Sequence, residues 1–101
     1  MAKATFKGPG GTVYTQIAKT NRGRLGVARL DQDQIRVRIE PASAEATQKM
    51  SAQLKEWKQP YGSNRRFSVI VGDKSVEKAV SLGKKLIGSD SSMKAKAALA
   101  V

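Results

Sequence analysis

The chain has 101 residues, of which 19 are Lys or Arg and 8 are Asp or Glu, giving a formal net charge of +11. This excess is larger than the ~2–8 charges that keep a small domain soluble, so it predicts a polyanionic partner, nucleic acid before others. Cys and His are absent, which excludes disulfides, thiolate or imidazole metal ligands, and histidine acid–base catalysis.

The same composition bears on location. A chain without cysteine has no disulfide framework, so an intracellular setting or a viral particle is expected and secretion is not. The N-terminal residues contain no apolar run of the signal-peptide type. The longest strongly apolar stretch is residues 69–71, whereas a helix needs ~20 apolar residues to cross a bilayer. We therefore expect no membrane partner.

The first half of the chain predicts an arm followed by three strands. Residues 1–11 are basic and rich in Gly and Pro, which predicts a flexible arm. Apolar and polar residues alternate over 12–19 and 34–40, and less regularly over 24–30, which predicts strands. Short turns join these strands, as in an antiparallel meander. The last strand alternates most regularly, with Ile35, Val37 and Ile39 facing inward and Arg36 and Arg38 facing outward.

The second half predicts two helices and a fourth strand. Ser43 is a candidate N-cap for a helix ending at Pro60, with an apolar stripe of Ala46, Met50, Leu54 and Trp57. Residues 67–71 are nearly all apolar, which predicts an interior strand covered on both faces. A second helix closes at Gly88. The order β-β-β-α-β-α predicts an α+β fold with both helices on one sheet face, in a single domain over 12–88, followed by a C-terminal linker and tail over 89–101.

The predicted binding surface is the sheet face that the helices leave uncovered, extended by two loops. Arginine binds phosphate through its planar fork of donors, and tyrosine offers a ring for base stacking. Aromatic residues make up only 5% of the chain, so phosphate contacts are expected to dominate. The residues predicted to contact nucleic acid are Tyr14, Arg22, Arg24, Arg36, Arg38, Tyr61, Arg65 and Arg66.

Single-stranded DNA or RNA is slightly favoured over duplex, because neither predicted helix has the features of a major-groove reader. Two other functions stay open. One is a structural component of a virion or nucleoprotein particle that lines packaged genome. The other is a basic inhibitor or adaptor that binds an acidic protein partner. An exposed strand edge would also permit a homodimer or higher assembly.

Catalysis is not expected from this sequence. The segment Gly8-Pro9-Gly10-Gly11 lacks the Gly-Lys-Ser/Thr of a phosphate-binding loop. Asp31 and Asp33 are typical of a turn and do not by themselves predict a magnesium site. No serine has a histidine to activate it. We therefore expect a protein that is not an enzyme, with no catalytic residues, no metal and no cofactor.

Overall fold

A computed structural model of the chain describes residues 4–55, 57 and 67–100. Its five strands form one antiparallel sheet in which spatial order follows chain order, and its helices pack on one face of that sheet. The predicted α+β class with helices on one face is confirmed. The strands are β1 (Thr5–Lys7), β2 (Val13–Thr20), β3 (Gly23–Asp31), β4 (Gln34–Pro41) and β5 (Phe67–Val71). The helices are α1 (Ala44–Ser51), α2 (Val76–Ile87) and α3 (Ala95–Leu99).

The core lies between the helices and the apolar side of the central strands. Leu25 pairs directly with Ile39, and Val27 with Val37, so these four side chains share one face. All four are fully buried. Alternation along β4 predicted this arrangement correctly. In β2 a bulge between Gln16 and Ala18 breaks the alternation, so the consecutive residues Ile17 and Ala18 are both buried in the core.

Helix α1 is shorter than predicted, although its cap and apolar stripe are in place. Ser43 Oγ accepts a hydrogen bond from the Ala46 N–H at 3.1 Å. The helix ends at Ser51, where the Met50 carbonyl accepts from the N–H groups of both Gln53 and Leu54. These bonds turn the chain more tightly than a continuing helix, and Leu54 and Trp57 still reach the core.

The two ends of the sheet also differ from the prediction. Residues 5–7, predicted as part of a flexible arm, form β1 and pair with β2. Strand β5, predicted as interior, is an edge strand of the described sheet because it pairs with β4 and stands last among the described strands. Its Ile70 is 48% exposed. Apolar composition alone does not distinguish a covered strand from an edge strand.

The predicted C-terminal tail contains a docked helix. Ala95 and Ala98 of α3 are buried against the core, and the Glu77 carboxylate of α2 accepts hydrogen bonds from the Ala95 and Lys96 N–H groups.

Helix α2 itself lies close to the sheet at Gly83, where a Cβ would come within 2.7 Å of a Leu25 methyl carbon. The residue after its last turn, Gly88, has the positive φ of 70° that commonly ends a helix.

Candidate nucleic-acid interface

The sheet face away from the helices, here called the outer face, exposes fewer of the predicted contact residues than the sequence indicated. Phe6 of β1 stacks on Tyr14 with ring centroids 5.4 Å apart and planes at 16°. Its ring lies over Gly26, where a Cβ would come within 2.6 Å of it. Tyr14 is therefore fully buried. The expectation that Tyr14 presents a ring for base stacking is corrected, because β1 folds back and covers it.

Two of the predicted outer-face arginines share one carboxylate. Arg38 Nε donates to Glu40 Oε2 at 2.8 Å, and Arg24 Nε donates to Glu40 Oε1 at 2.8 Å. Both guanidinium groups also face aromatic rings, Arg24 at 4.1 Å from the Phe6 centroid and Arg38 at 5.6 Å from the Tyr14 centroid. We call these five residues the outer-face cluster.

Arg38 was predicted to contact nucleic acid, but its burial in the outer-face cluster prevents that contact. Its side chain is only 2% exposed, whereas that of Arg24 is 34% exposed. Burial raises the pKa of the Glu40 carboxyl, but the hydrogen bonds from Arg38 and Arg24 lower it by more, so the net shift is downward. Arg38 Nη2 is buried, and none of the described residues is its hydrogen-bond partner. Sequence reasoning missed Glu40, although its spacing of two residues from Arg38 places both on one face of a strand.

Arg36 keeps the position that the sequence predicted. It lies on the outer face of β4 between Ala28 of β3 and Ile70 of β5, both its direct register partners. Its side chain is half-buried, and no carboxylate of the described residues lies within ion-pair distance of it. Arg36 is thus available to an anion on this face.

A second cationic surface lies at the end of the sheet where β2 turns into β3. Arg22 in this turn is exposed and lies against Gly88, and Thr20 Oγ1 donates to the Ile87 carbonyl at 2.6 Å. The turn, α1 and the end of α2 enclose an open groove of about 570 Å³, which we call the basic groove. Its described lining residues are Asn21, Arg22, Ser43, Glu45, Ala46, Lys49, Met50, Gln53, Lys85 and Leu86.

The basic groove contains three cations and one acid among its described lining residues. Glu45 lies 3.3 Å from Lys49 in an exposed pair one helical turn apart. Arg22 was predicted as a contact residue, whereas Lys49 and Lys85 were missed. No local pattern could reveal them, because Lys85 meets the turn only when the end of α2 packs beside it.

Three aspartates lie at the opposite end of the sheet and so do not neutralise the basic groove. Asp31 and Asp33 belong to the β3–β4 turn, and Asp33 Oδ1 accepts from the Asp73 N–H at 2.8 Å. Asp73 also pairs with Arg29 at 2.8 Å. Within the part of the chain that the structure describes, no group of three acidic side chains is placed to hold a metal ion.

Tyr61, Arg65 and Arg66, predicted as a contact loop, lie outside the described residues. Across residues 4–55, 57 and 67–100, no helix has both the length and the apolar character needed to span a membrane. Comparison with protein-family models, with curated proteins and with solved structures finds no match for this chain.

Proposed function

We propose that this chain binds nucleic acid, mainly through phosphates, inside a cell or a viral particle. The basic groove is the main contact surface and Arg36 a second contact on the outer face. The net charge of +11 supports a polyanionic partner. The observation that carries the proposal is the convergence of Arg22, Lys49 and Lys85 on one open groove.

The chemistry of the groove suits a phosphate. Like charges that line one cavity repel each other, and a bound anion relieves that repulsion. The Arg22 guanidinium can make two parallel hydrogen bonds to phosphate oxygens, and Lys85 adds a point charge. The side chains of Asn21, Ser43 and Gln53 line the same groove and supply neutral donors.

The helices favour a single strand over a duplex. Helix α2 buries Val76, Val80, Gly83 and Ile87 against the sheet, and α3 has only five residues. Helix α1 has eight residues, and we assign none of the three described helices as a major-groove reader. The basic groove falls within the ~300–1,000 Å³ of small-ligand sites, so it has room for a phosphate and its sugar from a flexible strand.

The salt dependence of binding tests this proposal. Fluorescence anisotropy would compare labelled single-stranded DNA, RNA and duplex DNA across a salt series. Each single-strand phosphate contact contributes ~0.7 to the slope of log K against log salt. The double variant Arg22→Ala with Lys85→Ala should therefore reduce the magnitude of that negative slope by about 1.4. Arg36→Ala should reduce the magnitude by about 0.7.

The matched control removes the same charge from the other end of α2. Lys74 and Lys78 are both exposed, and the double variant Lys74→Ala with Lys78→Ala should leave the slope unchanged. Equal losses in the two double variants would mean that binding follows total charge, and the groove assignment would be wrong. Failure to bind any of the three probes at low salt would refute nucleic-acid binding and leave the acidic protein partner as the better proposal.

A further inference from the structure

We propose that the open edge of β5 pairs with β5 of a second copy of this chain, joining two sheets into one. This contact is independent of nucleic acid. Strand β5 is last in the sheet, and no described segment pairs with its far edge. A five-residue edge strand presents about 17 Å of backbone donors and acceptors to a partner.

The two edges of the sheet are protected very differently. Strand β1 has three residues, carries Lys7 and is followed by Gly8 and Pro9, all features that discourage strand addition. Strand β5 has the sequence Phe-Ser-Val-Ile-Val. It contains no charge and no proline, and its Ile70 is 48% exposed. Among the described residues, this edge has none of the usual defences against pairing.

Two copies of a chain of net charge +11 repel each other, so self-association is favoured at an edge that carries no charge. Of the five described strands, β5 alone carries no charged residue. In the joined sheet, the nearest strand arginines of the two copies would be on β4 and its counterpart. They are three strand spacings apart, at least about 14 Å. Since the Debye length is ~8 Å at physiological ionic strength, their repulsion is largely screened.

A second copy fits this edge better than an unrelated strand, because an antiparallel pairing obeys two-fold symmetry. A rotation axis near Val69 places Ser68 of each copy beside Ile70 of the other on the outer face. The Ile70 side chains of the two copies, one on each side of the axis, are then both covered. Pairing over five residues is smaller than a standard interface, so we expect a dissociation constant on the order of micromolar.

The test is a concentration series by light scattering or sedimentation, with nuclease-treated protein in high salt. Wild type should change from monomer to dimer across the micromolar range, and Ile70→Lys should remain monomeric. Leu30→Lys is the matched control, because Leu30 is an exposed aliphatic residue at 38% on β3. It should dimerise like wild type. Circular dichroism would establish that both variants are folded.

A spin label gives a second, site-specific readout, since the described chain has no cysteine. A label on Ser68→Cys should lie within about 10 Å of its counterpart, and one on Leu30→Cys at least about 24 Å away, five strand spacings. A monomeric wild type at all concentrations would overturn the proposal. So would a dimer unaffected by Ile70→Lys, or a dimer without dipolar broadening at Ser68.

Discussion

Replacing Glu40 with alanine tests how the outer-face cluster holds together. The change removes the one carboxylate among the described residues that pairs with the Arg38 guanidinium, which is 2% exposed. Removing one partner of a buried ion pair typically lowers the free energy of unfolding by ~3–5 kcal/mol. The Arg24 pair adds less than ~1 kcal/mol, because that side chain is 34% exposed and screened by solvent. We therefore expect a loss of about 3–5 kcal/mol in unfolding free energy.

A loss of this size is easily measured. A domain of 60–100 residues loses ~4–8 °C in Tm per kcal/mol, so Glu40→Ala should lower Tm by at least about 12 °C. Urea titration would give the free energy from the midpoint and slope. Glu45→Ala is the matched control. It removes a glutamate from an ion pair whose carboxylate side chain is 79% exposed, and we expect no measurable change.

A double-mutant cycle identifies the cause. Arg38→Met replaces the buried cation with an apolar side chain and removes Nη2, which no described residue hydrogen-bonds. In that background Glu40→Ala should cost less than about 1 kcal/mol, because no buried charge is left unpaired. If Glu40→Ala costs the same with Arg38 and with Met at that position, the stability does not come from the pair, and this account of the cluster is wrong.

Two further predictions concern the same face. The pKa of Glu40 is lower in the folded chain than in the unfolded one, so the stabilisation by its carboxylate is complete above the pKa of the unfolded chain and is lost as pH falls through the folded pKa. Unfolding free energies of wild type and Glu40→Gln should thus converge with increasing acidity, and a constant difference would contradict this. Phe6→Ala should cost about 3 kcal/mol and uncover Tyr14, measurable as a lower urea midpoint and faster nitration of Tyr14 by mass spectrometry. Nitration at the wild-type rate would show that Phe6 does not shield it.

Much of the fold could be predicted because its signals are local. The alternation over β4 and the apolar stripe of α2 can each be recognised from the spacing of apolar residues within a single segment. The burial of Tyr14 could not be predicted in this way. It depends on β1 folding back across β2, and on Gly26 leaving space for the Phe6 ring. A basic, Gly-rich start predicts an arm, and three residues are too few for alternation to indicate a strand.

The candidate site was only partly predictable for a related reason. The net charge of +11 predicts a polyanionic partner wherever the cations lie in the fold. Whether a cation can contact that partner depends on whether it is paired with a carboxylate, and this is a property of the folded chain. Arg36 and Arg38 look equivalent in the sequence, yet Arg38 pairs with Glu40 and Arg36 has no such partner among the described residues. Lys85 joins Arg22 only through the packing of α2 against the β2–β3 turn.

The pairing on the outer face has an electrostatic consequence for Arg36. Two guanidiniums share one carboxylate at Glu40, so the outer-face cluster retains one net positive charge. Arg36 lies two residues before Arg38 in the chain, and this spacing places both side chains on the same face of β4. The cluster therefore adds positive potential near Arg36 while its own side chains stay packed. A phosphate bound at Arg36 would gain from that charge without contacting Arg38, and the buried pair would hold β4 in place beneath it.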